Sequence, residues 1–299
     1  NLSAGKREAA LDKPLIQANI LNTDVLRETF RKYDISAVMQ FAASLSVADS
    51  VADPKGYYQN NVVGTLALLE AMVSESVNCL VFSSTAAIYG NPVQTPITED
   101  HPKNPINTYG ETKLAIERAL AHYDRAYGLK SICLRYFNAS GADPDGLLGE
   151  NHVPETHLIP RALEAACGGP PLEIFGDDYE TPDGTCLRDY IHVTDLASAH
   201  LLALRALEAG CKSTAYNLGN GRPYSVKEVV EVVNRVTNKT VPCVVSAQRP
   251  GDPAILFASS ENIQRDLDWT PRFNELSSIV ETAWRWYQAQ SGKASLEKQ

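Results

Sequence analysis

Positive charge is scarce in this chain. Its 36 acidic residues outnumber 27 lysines and arginines, and the formal charge is −9. That balance excludes a general nucleic-acid binder, which must set cations against phosphates. Any anionic ligand is left to local arginines and helix N-termini. Long apolar runs are missing too. No stretch of about 18 apolar residues occurs, so neither a membrane span nor an apolar signal segment is expected. The six cysteines stand at least 19 residues apart, which gives no CxxC pair and no zinc-ligand spacing, and no metal is expected. Several lie in apolar runs, such as Cys79 in Asn-Cys-Leu-Val-Phe. Reduced, buried thiols in a cytoplasmic protein are the expectation.

What is present has the balance of a globular protein: 44% hydrophobic and 21% charged residues over 299 positions. That length supports one large or two ordinary domains. In the first half, short apolar strands alternate with amphipathic helices. Strands are expected at Leu15–Asn19, Ala37–Ala42, Cys79–Ser83 and Ser131–Tyr136. Helices are expected at Thr23–Tyr33, capped by Thr23, from Pro54 to about Ser76, and from Thr108. This alternation implies an α/β fold with a parallel sheet between helices. After Asn138 the pattern loosens, and Ala142–Pro154 reads as a functional loop rich in Gly, Pro and Asp. Helices at His157–Cys167, Thr194–Ala209, Ser225–Thr237 and Glu275–Gln290 then alternate with strands near Leu172–Phe175, Ala215–Leu218 and Pro242–Val245. The tail Gly292–Gln299 should fray. There is no internal repeat.

The stretch Thr108-Tyr-Gly-Glu-Thr-Lys113 carries the first chemical signal. Thr108 and Glu111 fit a capping box, which starts a helix with Tyr109 in its first turn and Gly128 at its end. Tyr109 and Lys113 then share a face. A cation beside a phenol favours the phenolate, and such a tyrosine can serve as a general base. Chance alone supplies about 0.5 Tyr-x-x-x-Lys pairs in a chain of this composition. Context adds weight. Leu80-Val-Phe-Ser-Ser-Thr85 is a buried strand ending in three hydroxyls, and ligands of open α/β sheets sit beyond the carboxyl ends of strands. The plain alternative is an ordinary strand-to-loop turn. His192 and His200 read as core residues.

Ser83-Ser-Thr85 followed by Tyr109-Gly-x-x-Lys113 resembles the extended short-chain dehydrogenase/reductases. Further stretches narrow the resemblance to the UDP-glucose 4-epimerases: Phe41-Ala-Ala, Asn60-Asn-Val-x-Gly-Thr-Leu66, Arg135-Tyr-Phe-Asn-Ala-Ser-Gly-Ala142, Glu155-Thr-His-Leu-Ile-Pro160, Phe175-Gly-Asp-Asp-Tyr179, Asp183 to Val193 and Arg249-Pro-Gly-Asp252. It spans residues 1 to about 290.

The resemblance implies a Rossmann-like NAD-binding part, residues 1–140, and a smaller mixed α/β UDP-sugar-binding part, residues 141–299, with the chain crossing back between them. It implies interconversion of UDP-glucose and UDP-galactose in galactose metabolism, through a 4-keto sugar, with NAD as cofactor. Tyr109 would be the base, Lys113 its tuning cation and ribose ligand, and Thr85 the partner of the sugar 4-oxygen. Asn1, Asn19, Ile20, Phe41, Ala42, Ala43, Leu45, Asn60, Ser83 and Phe137 would line NAD. Asn138, His157, Leu158, Glu173, Ile174, Phe175, Arg188, Arg249, Asp252 and Leu256 would hold the UDP-sugar. A homodimer through helices near Tyr57–Ser76 and Tyr109–Tyr127 is implied as well.

Departures from the family pattern carry their own expectations. No Gly-x-x-Gly-x-x-Gly is present, and the chain begins at the Asn of Asn-Leu-Ser, so the resemblance implies that about 30 residues of a first β-α-β are missing. A sheet with an open central slot, weak NAD binding and marginal folding follow from that. Asn19 stands where the family usually has Asp, and Gln40 where it has His. Leu256 occupies a position that gates bulkier sugars, which leaves a UDP-pentose or UDP-N-acetylhexosamine as the alternative substrate. Ala86-Ala87 after Thr85 lack the Asp-Glu pair of a 4,6-dehydratase. A non-catalytic nucleotide-sugar binder is the remaining rival.

Overall fold

The computed structural model describes residues 1–249 and 252–296. Strands β1 (Ala37–Gln40), β2 (Cys79–Thr85) and β3 (Lys130–Tyr136) form a parallel sheet. β4 (Asn138–Ser140), β5 (Leu172–Phe175) and β6 (Leu187–His192) leave it. β7 (Thr214–Leu218) then returns to pair with β3, giving the order β1-β2-β3-β7.

Helices α1 (Thr23–Tyr33), α2 (Val47–Ala52), α3 (Pro54–Tyr57), α4 (Gly64–Ser74) and α5 (Thr108–Tyr127) belong to the first half. Strand side chains alternate between faces. Leu80 and Phe82 of β2 therefore pack with Leu69, Met72, Ile116 and Leu120 of α4 and α5. Val81 points to the other face, where it meets Ala199 and Ala203 of α7 (Val193–Glu208), which follows α6 (Leu158–Ala166) in the chain. Trp269 closes that layer, fully buried, with its indole N–H donating to the Asp195 carbonyl at 3.1 Å.

The second half builds a smaller sheet. β6 is flanked by β4 and by β10 (Ile255–Leu256), and β8 (Pro223–Ser225) pairs with it antiparallel. β5 pairs with β9 (Cys243–Ser246). Helices α6, α8 (Val226–Thr237) and α10 (Leu276–Leu296) enclose a core of Ile159, Leu163, Val229, Val233 and Ile279. A short helix, α9 (Glu261–Leu267), lies between α8 and α10.

Several expectations are corrected. Residues 13–19 form no strand, since a strand exists only in a ladder and they have no partner. Among the described residues the sheet ends at β1, with Phe41 exposed just after that strand, and no second sheet piece lies across a central slot from it. Asn22, not Thr23, caps α1, accepting from Val25 N; Asn107, not Thr108, caps α5, accepting from Gly110 N. Asn and Thr are both good caps; here each helix begins one residue earlier than a threonine cap would set it. α10 runs on to Leu296, so the backbone does not fray at Gly292, and residues 297–299 lie outside the described ones. Of the six thiols, all free, only Cys133 is buried, while Cys167 and Cys243 are exposed. Among the described residues no helix is long and apolar enough to cross a membrane.

Candidate active site

The C-terminal end of β2 and the first turns of α5 meet because Gly110 lacks a side chain. A Cβ there would lie 2.5 Å from the Ala87 carbonyl oxygen. This close approach sets Tyr109 beside Thr85, near enough for the threonine hydroxyl to favour the phenolate. Thr85 is buried and accepts from Ala87 N at 3.2 Å. Tyr109 is half-buried, with its phenol end enclosed. One turn on, Lys113 is 3% exposed and its ammonium donates to the Ser83 carbonyl at 2.8 Å. Ser83 Oγ hydrogen-bonds Tyr136 Oη.

Electrostatics differ from the simple expectation. Burial dominates the Tyr109 phenol and pushes it well above its ordinary range, against the opposing influence of the Thr85 hydroxyl; Lys113 does not depress it here. The reason is geometric. The Lys113 ammonium lies 5.9 Å from the Tyr109 ring centroid, turns toward the Ser83 carbonyl, and is itself pulled down to about 8 by burial.

A lysine lowered from 10.5 to about 8 holds fewer protons folded than unfolded across that window. The sign follows: its contribution makes stability rise with pH from about 8 to 10.5, and below 8 the buried ammonium opposes folding. Lys113→Met should therefore flatten that rise and stabilise the chain at pH 7 by up to about 3 kcal/mol. Denaturant titrations of both chains at pH 7 and pH 10 measure it. An unchanged pH slope would rule the account out.

The remaining residues fall into three groups. Phe41, Ala42 and Leu45 are exposed just past the end of β1, with Ala43 and Asn60 half-buried behind them. The chain enters α4 through a π-helical turn, Tyr58–Val63, of the kind often found at functional sites. That turn aims Asn60 at Ser44 Oγ (3.2 Å) and buries Asn61, which accepts from Ser44 N at 2.8 Å and donates to Thr112 Oγ1 at 3.2 Å. Asn61 is thus the residue that ties the loop after β1 to the Tyr109 helix. The run Asn60-Asn61 before a glycine was its only trace in the sequence.

A second group spans β4, β6 and β10, the separate β5–β9 pair and the segment before β10. Asn138 donates to the Asp189 carbonyl at 2.8 Å; Arg188 is held by the Leu187 and Pro253 carbonyls and faces Asp252 at 3.5 Å. Leu256 lies in register with Arg188. Arg249 stacks 3.6 Å over the Phe175 ring, with Glu173 and Ile174 on the same strand. Leu256 and Phe137 both pack on Ile88, Tyr89, Ile97 and Leu114, which joins this group to α5. His157 and Leu158 start α6, His157 exposed.

The third group stands apart. Asn1 and Asn19 are exposed, and their side chains bond only to Ser3 N and Leu21 N among the described residues; Ile20 packs at Gly64. Pro250 and Gly251 of the Arg249–Asp252 stretch lie outside the described residues.

The family profile of NAD dependent epimerases/dehydratases matches residues 1–219. The chain belongs to that family. Among curated epimerases, the UDP-glucose 4-epimerase of Halalkalibacterium halodurans is 50% identical over 288 residues, covering 96% of this chain and 86% of that protein. That of Corynebacterium glutamicum is 48% identical over 300 residues, covering 100% and 90%. The crystal structure of the UDP-glucose 4-epimerase from Brucella ovis in complex with NAD superposes with a TM-score of 0.93, at 49% identity, over 95% of this chain and 88% of that one. The α/β architecture with its parallel sheet is therefore that of the epimerases.

Proposed function

We propose that this epimerase interconverts UDP-glucose and UDP-galactose at C4, with NAD as cofactor, and so serves galactose metabolism. One observation carries the reading. Tyr109 and Thr85 stand together at the end of β2, beside a buried Lys113 whose ammonium has a single hydrogen-bond acceptor among the described residues. Two further N–H donors of Lys113 fit a ribose diol, and exposed Phe41 and Leu45 fit a flat apolar ring system. NAD, when bound, takes up hydride from C4 and gives it back.

The chain's own groups do the rest. Tyr109 takes the proton of the sugar 4-hydroxyl, and Thr85 holds that oxygen and the phenol in line. Desolvation is what lifts the phenol, so a positive charge placed closer to its oxygen than the Lys113 ammonium would lower it. Ala42, Ala43, Asn60, Ser83 and Phe137 complete the cofactor lining, from which Asn1, Asn19 and Ile20 stand apart. Arg188 and Arg249 grip the diphosphate as forked cations, and Asp252 accepts from a ribose. Asn138, His157, Leu158, Glu173, Ile174, Phe175 and Leu256 shape the rest of the nucleotide-sugar site. Residues 1–140 then form the cofactor part and residues 141–299 the sugar part, with β7 returning to the first sheet. The free thiols fit a cytoplasmic setting.

The test supplies NAD and UDP-galactose and follows UDP-glucose formation, with UDP-N-acetylgalactosamine and a UDP-pentose alongside. UDP-galactose is expected to turn over fastest. Preference for either other sugar would replace this assignment, and binding without any turnover would leave a nucleotide-sugar binder.

A homodimer belongs to the same proposal. Val63, Leu66, Ala67, Val73, Tyr123 and Tyr127, with Glu70 and Ser74, line a groove of mixed polarity between α4 and α5, Leu66 being 36% and Tyr127 58% exposed. Two copies packing these helices would form a four-helix contact. Leu66→Arg should halve the sedimenting mass at micromolar concentration. A wild-type chain that already sediments as a monomer would dispose of the dimer.

A further inference from the structure

We propose that Glu150, His152, Glu155 and His157 bind one divalent transition-metal ion, with zinc as the best fit. These four residues form the group among the described residues whose ligand atoms converge, all within 4.8 Å of one another. A tetrahedral zinc site with bonds near 2.0–2.1 Å needs ligand atoms ~3.4 Å apart. The ligand atoms must shift by ~1 Å to close that difference.

Geometry inside the group already points at one centre. A single Glu150 carboxylate oxygen faces both imidazoles, His152 Nδ1 at 3.0 Å and His157 Nδ1 in closer contact. Glu155 Oε1 stands 3.6 Å from the same His157 nitrogen. The two rings lie 5.4 Å apart and tilted by 55°, so they approach from different directions and do not stack. Two imidazoles and two carboxylates suit zinc, cobalt or nickel; magnesium and calcium take oxygen ligands.

The frame around the group is fixed independently. The Trp286 indole donates to the Glu150 carbonyl at 2.8 Å, anchoring one end of the loop to α10. At the other end, Glu155 Oε1 accepts from Thr156 N at 2.7 Å and His157 N at 2.8 Å, which orients that carboxylate. All four ligands come from eight consecutive residues, so little chain entropy is lost on binding. His152 and His157 are 37% and 45% exposed in their side chains, which leaves an entry path. The site does not depend on which sugar is turned over, but it shares His157 with the proposed nucleotide-sugar site.

Isothermal titration of chelator-treated full chain with zinc chloride tests this, in a Cys167→Ser/Cys243→Ser background that removes the exposed thiols. The expected result is one equivalent bound at micromolar affinity or tighter. His152→Gln/His157→Gln should weaken it at least ~100-fold with unchanged far-UV circular dichroism, and His122→Gln, elsewhere on the surface, should not. Cobalt should give a tetrahedral visible spectrum that zinc abolishes and a hundredfold excess of magnesium does not. No stoichiometric zinc binding by the parent chain, or unchanged binding by the double variant, overturns the site.

Discussion

Tyr109→Phe should lower turnover of UDP-galactose by ~10²–10⁴-fold while leaving the affinity for UDP within a few-fold of the parent. The substitution removes one oxygen and keeps the ring that fills the enclosure, so packing changes little. What disappears is the atom proposed to take the 4-hydroxyl proton beside Thr85. Interactions made only as the proton moves affect kcat, whereas the nucleotide contacts proposed for Arg188 and Arg249 affect binding. The loss should therefore fall in kcat with KM nearly constant. Thr85→Val, which removes a positioning hydroxyl and keeps the base, should cost less, on the order of tenfold. Turnover assays with UDP-binding titrations on the same preparations measure both. A Tyr109→Phe chain within threefold of the parent would remove Tyr109 from the chemistry.

Much of this site was legible because its signals are local. Tyr109 and Lys113 lie four apart on one helix, and Ser83 to Thr85 end an apolar run, so their meeting follows from helix and strand periods alone. The parallel first sheet was legible for the same reason. Short strands of the second sheet were not. β4, β8 and β10 have two or three residues each and exist only through pairing with β6, from positions far away in sequence. Residues 15–19 show the converse: an apolar pattern without a partner makes no strand. The π turn at Tyr58–Val63 and the hub role of Asn61 depend on contacts with Ser44 and Thr112 that no periodicity encodes. The direction of the Tyr109 shift was hidden too, because it turns on how deeply the phenol and the Lys113 ammonium are buried.

Burial also hides the pair that holds the site together. Glu117 sits one turn beyond Lys113 on α5, and Arg135 lies on β3 in register with Ser84 of β2. The glutamate accepts from Arg135 Nε at 2.9 Å, from Arg135 Nη2 at 2.6 Å and from Ser84 Oγ at 2.6 Å. Both side chains are under a tenth exposed. Arg135 Nη1 also donates to Tyr89 Oη at 2.9 Å, and that hydroxyl donates to Asn217 on β7 at 2.6 Å. This fork pins α5 to the sheet one residue before Thr85.

Glu117→Ala should consequently destabilise the chain by about 3–5 kcal/mol, since it strands a buried guanidinium without its counter-charge. The denaturant midpoint should fall with the slope unchanged. Glu117→Met/Arg135→Met, which removes both charges and fills the space, should recover most of the stability, because an intact buried pair is worth little net against apolar packing. Activity separates structure from positioning. The double variant should stay well below parent turnover although it folds, because the bidentate lock that sets α5 against Thr85 is gone and a misplacement of ~1 Å costs on the order of 10²-fold. Full activity in the double variant would assign the pair to folding alone. A Glu117→Ala chain within 1 kcal/mol of the parent would mean that water reaches Arg135 in solution.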